Sequence, residues 1–171
     1  MGAVKLFSRN ALPDDLAAKV SGFLGRRPRI LAWGRTENGA VVALHDRLVH
    51  VVGDDVAELG WHDILRGGWD GESKTMRWVQ MSTGETTRVP LVEPGSFPEV
   101  FKERVEATFL FQTAIHPRPG KTITISARRN LMDEGARVLW TAHPAAGVKM
   151  DEETVAFTEA ELGRLRAEYA F

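Results

Sequence analysis

The sequence predicts an α+β protein that is mainly β. Seven short antiparallel strands form a barrel or sandwich with a helix capping it, and a C-terminal β-meander and last helix follow. Three observations carry this expectation. Between Arg29 and Leu91, short runs of alternating residues are separated by turn residues, with connections too short for parallel crossovers. Ser96-Phe97-Pro98-Glu99 then reads as a capping box that opens an amphipathic helix. Alternation returns after that helix, before a final helical stretch.

The chain opens with a helix of its own. Leu12-Pro13-Asp14-Asp15 places proline near the first turn and carboxylates at the positive end of the dipole. Leu16, Val20, Phe23 and Leu24 share one face, and Gly25 is placed to end the helix. Residues 1–27 are expected to hold this helix, packed on the barrel.

Strands follow in residues 28–107. Arg29–Glu37 meets a turn at Asn38-Gly39, a strong hairpin signal. Ala40–His45 and Leu48–Val52 flank an Asp46-Arg47 turn. Val56–Ile64 is extended, and Gly67 and Gly68 interrupt the pattern before Trp69. Asp70-Gly71 turns, Thr75–Met81 is a strand, Thr83-Gly84 turns, and Thr86–Leu91 closes the series. In the helix from Ser96 to about Ala107, Phe97, Phe101, Val105 and Thr108 share a face.

Residues 108–171 form the C-terminal part. Thr108–Ile115 is β-branched and aromatic, so it reads as strand. Lys121–Arg128 alternates strictly and pairs with Arg137–Ala142. Thr158-Glu159-Ala160-Glu161 is read as a second capping box, starting a helix with Leu162, Leu165 and Tyr169 inward. Arg164 and Glu168 make an outward pair on that helix.

The order of strands followed by one capped helix resembles a pleckstrin-homology-like barrel of the bacterial kind. Ile30-Leu31-Ala32-Trp33, Val41-Val42-Ala43-Leu44-His45-Asp46-Arg47-Leu48-Val49 and Gly60-Trp61-His62-Asp63-Ile64 carry the resemblance. The chain is also similar to a family of uncharacterised actinobacterial proteins over Arg29–Trp33, Trp61–Asp70, Phe97–Ala107, Ala127–Asn130 and Val138–Trp140. The resemblance implies a seven-stranded barrel with its capping helix, and no activity. Members of the fold that bind phosphoinositides carry a basic cluster in the loop joining the first two strands. Here that loop is Arg35-Thr36-Glu37-Asn38-Gly39, one arginine offset by a glutamate.

Composition narrows the function. The chain has 171 residues, no cysteine, and 22 Lys and Arg against 23 Asp and Glu. Disulfides, thiolate metal sites and cysteine nucleophiles are excluded, and the charge balance argues against nucleic acid as a partner. Met1–Asn10 reads as no secretion leader and no segment is apolar enough to span a membrane, so a cytoplasmic protein is expected. No cofactor or metal is implied. The five histidines (His45, His50, His62, His116, His143) lack metal-ligand spacing. Gly67, Gly68 and Gly71 lie between strands, where a bulge or hairpin explains them better than a phosphate cradle.

The residues that stand out suit an interface. Trp69 and Trp140, with Arg128 and Arg129, have the composition of a binding hot spot. Arg26, Arg27 and Arg29 are a candidate anion contact, a weak one for lipid. The leading expectation is therefore a non-catalytic binding or scaffold module that docks a protein partner or self-associates. The alternative is a small-ligand barrel or an enzyme built on one, with a pocket between barrel and C-terminal extension. Its signature would be inward polar groups such as His50, Gln80 and Arg77 converging on one point. A barrel filled by Trp33, Trp78, Leu44 and Phe101 would argue against it.

Overall fold

The computed structural model describes residues 11–171, so the expectation of no leader in Met1–Asn10 lies outside the described residues. The chain is α+β and mainly β, with ten strands in three antiparallel sheets and three α-helices among the described residues. It divides between Ala107 and Thr108 into two compact units.

In the first unit, α1 (Asp14–Leu24) follows Pro13 and stops at Gly25, whose φ of 67° is a left-handed conformation that glycine adopts without steric cost. Leu12, Leu16 and Val20 pack on Ala40, Val42, Leu44, Val49 and Val51. Phe23, one turn beyond the buried pair, stays 46% exposed. The opposing residues, apart from Leu44 just after β2, belong to a four-stranded sheet of β1 (Ala32–Thr36), β2 (Gly39–Ala43), β3 (Arg47–Val52) and β4 (Asp55–Gly60), in that order. Gly39 is the first residue of β2, opposite Thr36, rather than part of the turn. Its role is close approach: a Cβ there would lie 2.0 Å from the Val51 carbonyl oxygen.

The expected Val56–Ile64 strand breaks at a single 3-10 turn, Trp61–Asp63. Trp61 is completely buried, and its indole N–H donates to the Leu44 carbonyl at 2.9 Å. Asp63 accepts from the Ser82 amide at 2.9 Å and from Gln80 Nε2 at 2.8 Å, fixing where the next strands begin. These are β5 (Ile64–Asp70), β6 (Thr75–Gln80) and β7 (Thr86–Pro90), a separate three-stranded sheet. The seven strands thus do not close into one barrel, because the Trp61 turn interrupts pairing between β4 and β5. Between β1 and the segment after β7 there is only an isolated bridge, Arg35 to Glu93, among the described residues.

Next comes α2 (Phe97–Glu106), with Ser96 at its N-cap. The expected capping box is not made. Ser96 has ψ of 12° instead of an extended value, and its hydroxyl makes no capping bond. The buried Phe97 and Phe101 hold the helix in place. Phe101 meets the Trp61 ring at 5.7 Å, edge-on, and the Trp78 ring at 6.1 Å.

In the second unit, β8 (Phe109–Ile115), β9 (Ile123–Arg129) and β10 (Val138–Pro144) form a sheet ordered β10-β9-β8. The packing helix, α3 (Glu152–Glu168), starts earlier than the Thr158 capping box implies. Asp151 is the N-cap, accepting from the Thr154 amide at 2.9 Å, and Lys121 Nζ pairs with the same carboxylate at 2.7 Å. Thr158 is therefore mid-helix, and its hydroxyl donates to the Thr154 carbonyl at 2.7 Å. Leu165 packs with Ile115, Ile123 and Ile125, while Arg164 and Glu168 pair at 2.7 Å as expected.

Candidate functional site

Strand alternation and hairpin register build the most unusual surface of the first unit. On β6, Met76 and Trp78 face the core, so Arg77 between them faces out. Register places Gly68 opposite Arg77 on one side and Arg88 opposite Arg77 on the other. Arg66, two residues before Gly68, shares their face. Arg66, Arg77 and Arg88 are all exposed.

The two glycines of β5 divide the work. Gly67 points inward, where a Cβ would lie 2.7 Å from the Phe101 ring and 2.8 Å from the Arg77 carbonyl oxygen. A Cβ on Gly68 would meet no atom within 4 Å, so that position is bare floor between the arginines. The result is an open depression of about 480 Å³, with Arg66, Gly68, Trp69, Arg77 and Arg88 among its lining residues.

Asp70 is the acidic residue lining this depression, and its oxygens are already engaged. Its carboxylate accepts from Ser73 Oγ at 2.7 Å and from the amides of Glu72 at 3.0 Å and Ser73 at 3.3 Å. Those bonds, the Ser73 hydroxyl first, hold the Asp70 carboxyl below its ordinary pKa. Asp70 thus stabilises the β5–β6 turn as an anion. Arg66, Arg77 and Arg88 make no ion pair among the described residues. Arg47, by contrast, is paired with Asp46 at 2.8 Å and Glu58 at 2.5 Å. Arg77 and Arg88 also stand side by side as like charges, an arrangement that costs stability unless an anion joins it.

The residues expected at an interface are divided between the two units. Trp69 is half-buried at the hairpin end and lines the depression. Arg128, Arg129 and Trp140 belong to the second unit. Alternation puts Arg128 on the opposite face of β9 from Arg129. Its guanidinium carbon lies 3.9 Å over the Phe109 ring, and the residue is 2% exposed. That burial removes Arg128 from the exposed surface, while Arg129 remains exposed. Trp140 is half-buried and packs on Phe111 at 5.9 Å and Phe171 at 6.1 Å. Arg26, Arg27 and Arg29 are exposed in the segment after α1. Arg26 acts electrostatically on Asp46, and Arg27 lines a second depression with Asp14 and Ser21.

The polar triplet expected for a ligand barrel does not converge. Arg77 faces out, and Gln80, three residues along, donates to Asp63 and to Ser82 Oγ at 3.0 Å. His50 lies edge-on to Trp78 at 6.2 Å, where burial lowers its pKa. Trp61, Trp78, Phe97 and Phe101 are buried with Phe101 in ring contact with the other three, whereas Leu44 and the half-buried Trp33 pack in the cluster under α1 instead of that interior. Among the described residues, no three His, Asp or Glu side chains gather as metal ligands. No helix among them is long and apolar enough to cross a membrane.

The arginine face was legible in principle. A turn centred on Thr83-Gly84 brings Gln80 to Glu85 and hence Arg77 to Arg88, while the partner register depends on the longer Gly71–Lys74 turn, where Lys74 takes φ of 50°. No protein-family model, curated protein or solved structure matches the chain.

Proposed function

We propose that this chain is a non-catalytic docking module, whose first unit is a pleckstrin-homology-like domain and whose protein partner seats on the outer face of β5–β6–β7. The fold part of this reading is supported by element order: four strands, three strands, then a helix packed by Phe97 and Phe101. Kinship with the actinobacterial family, and a place in the cytoplasm, belong to the same reading. The docking part is carried by one observation: three exposed arginines surround a side-chain-free floor, and the lining carboxylate is committed to a turn. The packed interior supports docking on a surface over enclosure of a small ligand.

A photo-crosslinking residue at Thr75, on the rim of the face, tests this in native cells. A defined protein adduct that disappears with Arg77→Gln/Arg88→Gln is expected. Adducts indifferent to those substitutions, or none at all, would overturn the reading. An adduct at twice the mass of the chain would make the partner a second copy.

A further inference from the structure

We infer that the occupant of the β5–β6–β7 face is an acidic segment of the partner, an extended stretch of spaced aspartates or glutamates, each meeting one arginine. This rests on the docking reading and adds the chemistry of what docks. Adjacent strands are about 4.8 Å apart and alternate residues along a strand about 7 Å, so the Arg77 and Arg88 backbones stand about 5 Å apart. Arg66 then lies about 8 Å from Arg77 on the diagonal. The cations are spread in a bent row across three strands, which suits several carboxylates better than one tetrahedral phosphate. A single phosphoryl group is ordinarily held by donors that converge, such as backbone amides of a nest or helix start. Here the lining donors are guanidinium forks, each able to take an anion in two parallel bonds, and their spread over three strands favours several separate carboxylates. An extended chain carries same-side side chains about 7 Å apart, within reach of the Arg66–Arg77 spacing for flexible arginine stems. The bare Gly68 floor admits the backbone of such a segment between the stems.

The whole chain carries a net charge of -1, so the positive field is local to this face and favours a local acidic ligand over a broad anionic membrane. The like-charged Arg77–Arg88 pair is relieved by the ligand itself, which places part of the binding free energy in the unbound protein.

The experiment uses the full chain and fluorescein-labelled peptides of about ten residues. One alternates Glu with Ser, one replaces every Glu by Gln, and one is the Gln form with a single phosphoserine. Fluorescence anisotropy is read at low and raised salt. The Glu peptide is expected to bind, more weakly as salt rises, and the Gln peptide to bind at least about tenfold more weakly. Arg77→Gln/Arg88→Gln is expected to reduce Glu-peptide affinity by at least about tenfold, and Arg26→Gln/Arg27→Gln to leave it unchanged. Melting curves confirm that each variant is folded. Equal binding of the Glu and Gln peptides, preference for the phosphopeptide, or insensitivity to the Arg77 and Arg88 substitutions would overturn the inference. If the Thr75 crosslink survives while the peptide result fails, docking stands and the acidic occupant falls. If the crosslink is also absent, docking itself falls.

Discussion

Arg77 and Arg88 occupy directly opposed positions on β6 and β7, facing solvent together, with Gly68 opposite Arg77 on the other flank. A cross-strand pair of like charges is a poor choice for the stability of a hairpin. No carboxylate among the described residues forms an ion pair with either arginine, and the Asp70 oxygens nearby are bonded within their own turn.

Replacing Arg88 by Glu makes the cross-strand pair attractive. Because both side chains are exposed, the gain is small, about 0.2–0.5 kcal/mol. Urea unfolding of Arg88→Glu is expected to shift to a slightly higher midpoint with the same slope, while acidic-peptide binding is lost. A lower midpoint would mean that Arg88 contributes to the fold in a way that register does not capture.

The two neighbouring glycines are expected to respond oppositely. Gly67→Ala drives a methyl into the Phe101 ring and the Arg77 carbonyl, and costs about 1–3 kcal/mol. Gly68→Ala points into open space and leaves the melting temperature nearly unchanged, and Gly68→Val is expected to weaken peptide binding by filling the floor. Thermal melts of the three variants, followed by anisotropy on those that fold, check this.

Trp61 anchors the turn that separates the two sheets of the first unit. Trp61→Phe removes the indole donor and leaves the Leu44 carbonyl unmet in the core, at a cost of about 2 kcal/mol. Phe101→Ala, which empties the space among Trp61, Trp78 and Phe97, is expected to cost about 3–5 kcal/mol. Denaturant titration followed by tryptophan fluorescence measures both.

His50 gives the fold a pH dependence of defined sign. Burial lowers its folded pKa below the ordinary 6.5, so the unfolded chain binds the proton more readily. Stability from keeping His50 neutral is complete above pH 6.5 and falls as pH drops below that value towards the folded pKa. The urea midpoint at pH 5.5 is expected to lie below that at pH 7.5, and the difference to shrink in His50→Phe. Asp151 acts further down the scale. Lys121, then Thr154, hold its carboxyl well below its ordinary value of 3.8. Its contribution is present above that value and disappears as pH falls through the folded one, and Asp151→Ala is expected to lower the midpoint of the second unit and Glu159→Ala, at an exposed mid-helix position, to leave it nearly unchanged.

The contrast between Asp151 and Thr158 shows how local signals mislead. Both segments offer a short polar side chain ahead of acidic residues. Asp151 caps α3, and Lys121, thirty residues away in sequence, pairs with the same carboxylate at 2.7 Å. Ser96 stands at the N-cap of α2 with ψ of 12° and makes no capping bond, while Phe97 and Phe101 of the same helix are buried. Arg128 reads as a surface residue from its charge, yet strand parity and the Phe109 ring bury it.

What the sequence by itself determined was the period of each segment and the places where the chain turns. Alternation through residues 29–91, the return of strands at Phe109, the stop at Gly25 and the helix carrying Phe97 and Phe101 all follow from local sterics and hydrophobic spacing. The tertiary structure decided what lies side by side: two sheets in place of a closed barrel, a buried Arg128, and an arginine row laid across three strands. Such pairings depend on registers set by whole turns and on burial shared among distant residues. A change of one residue in a turn re-pairs every position beyond it, and no short stretch of sequence encodes that sum.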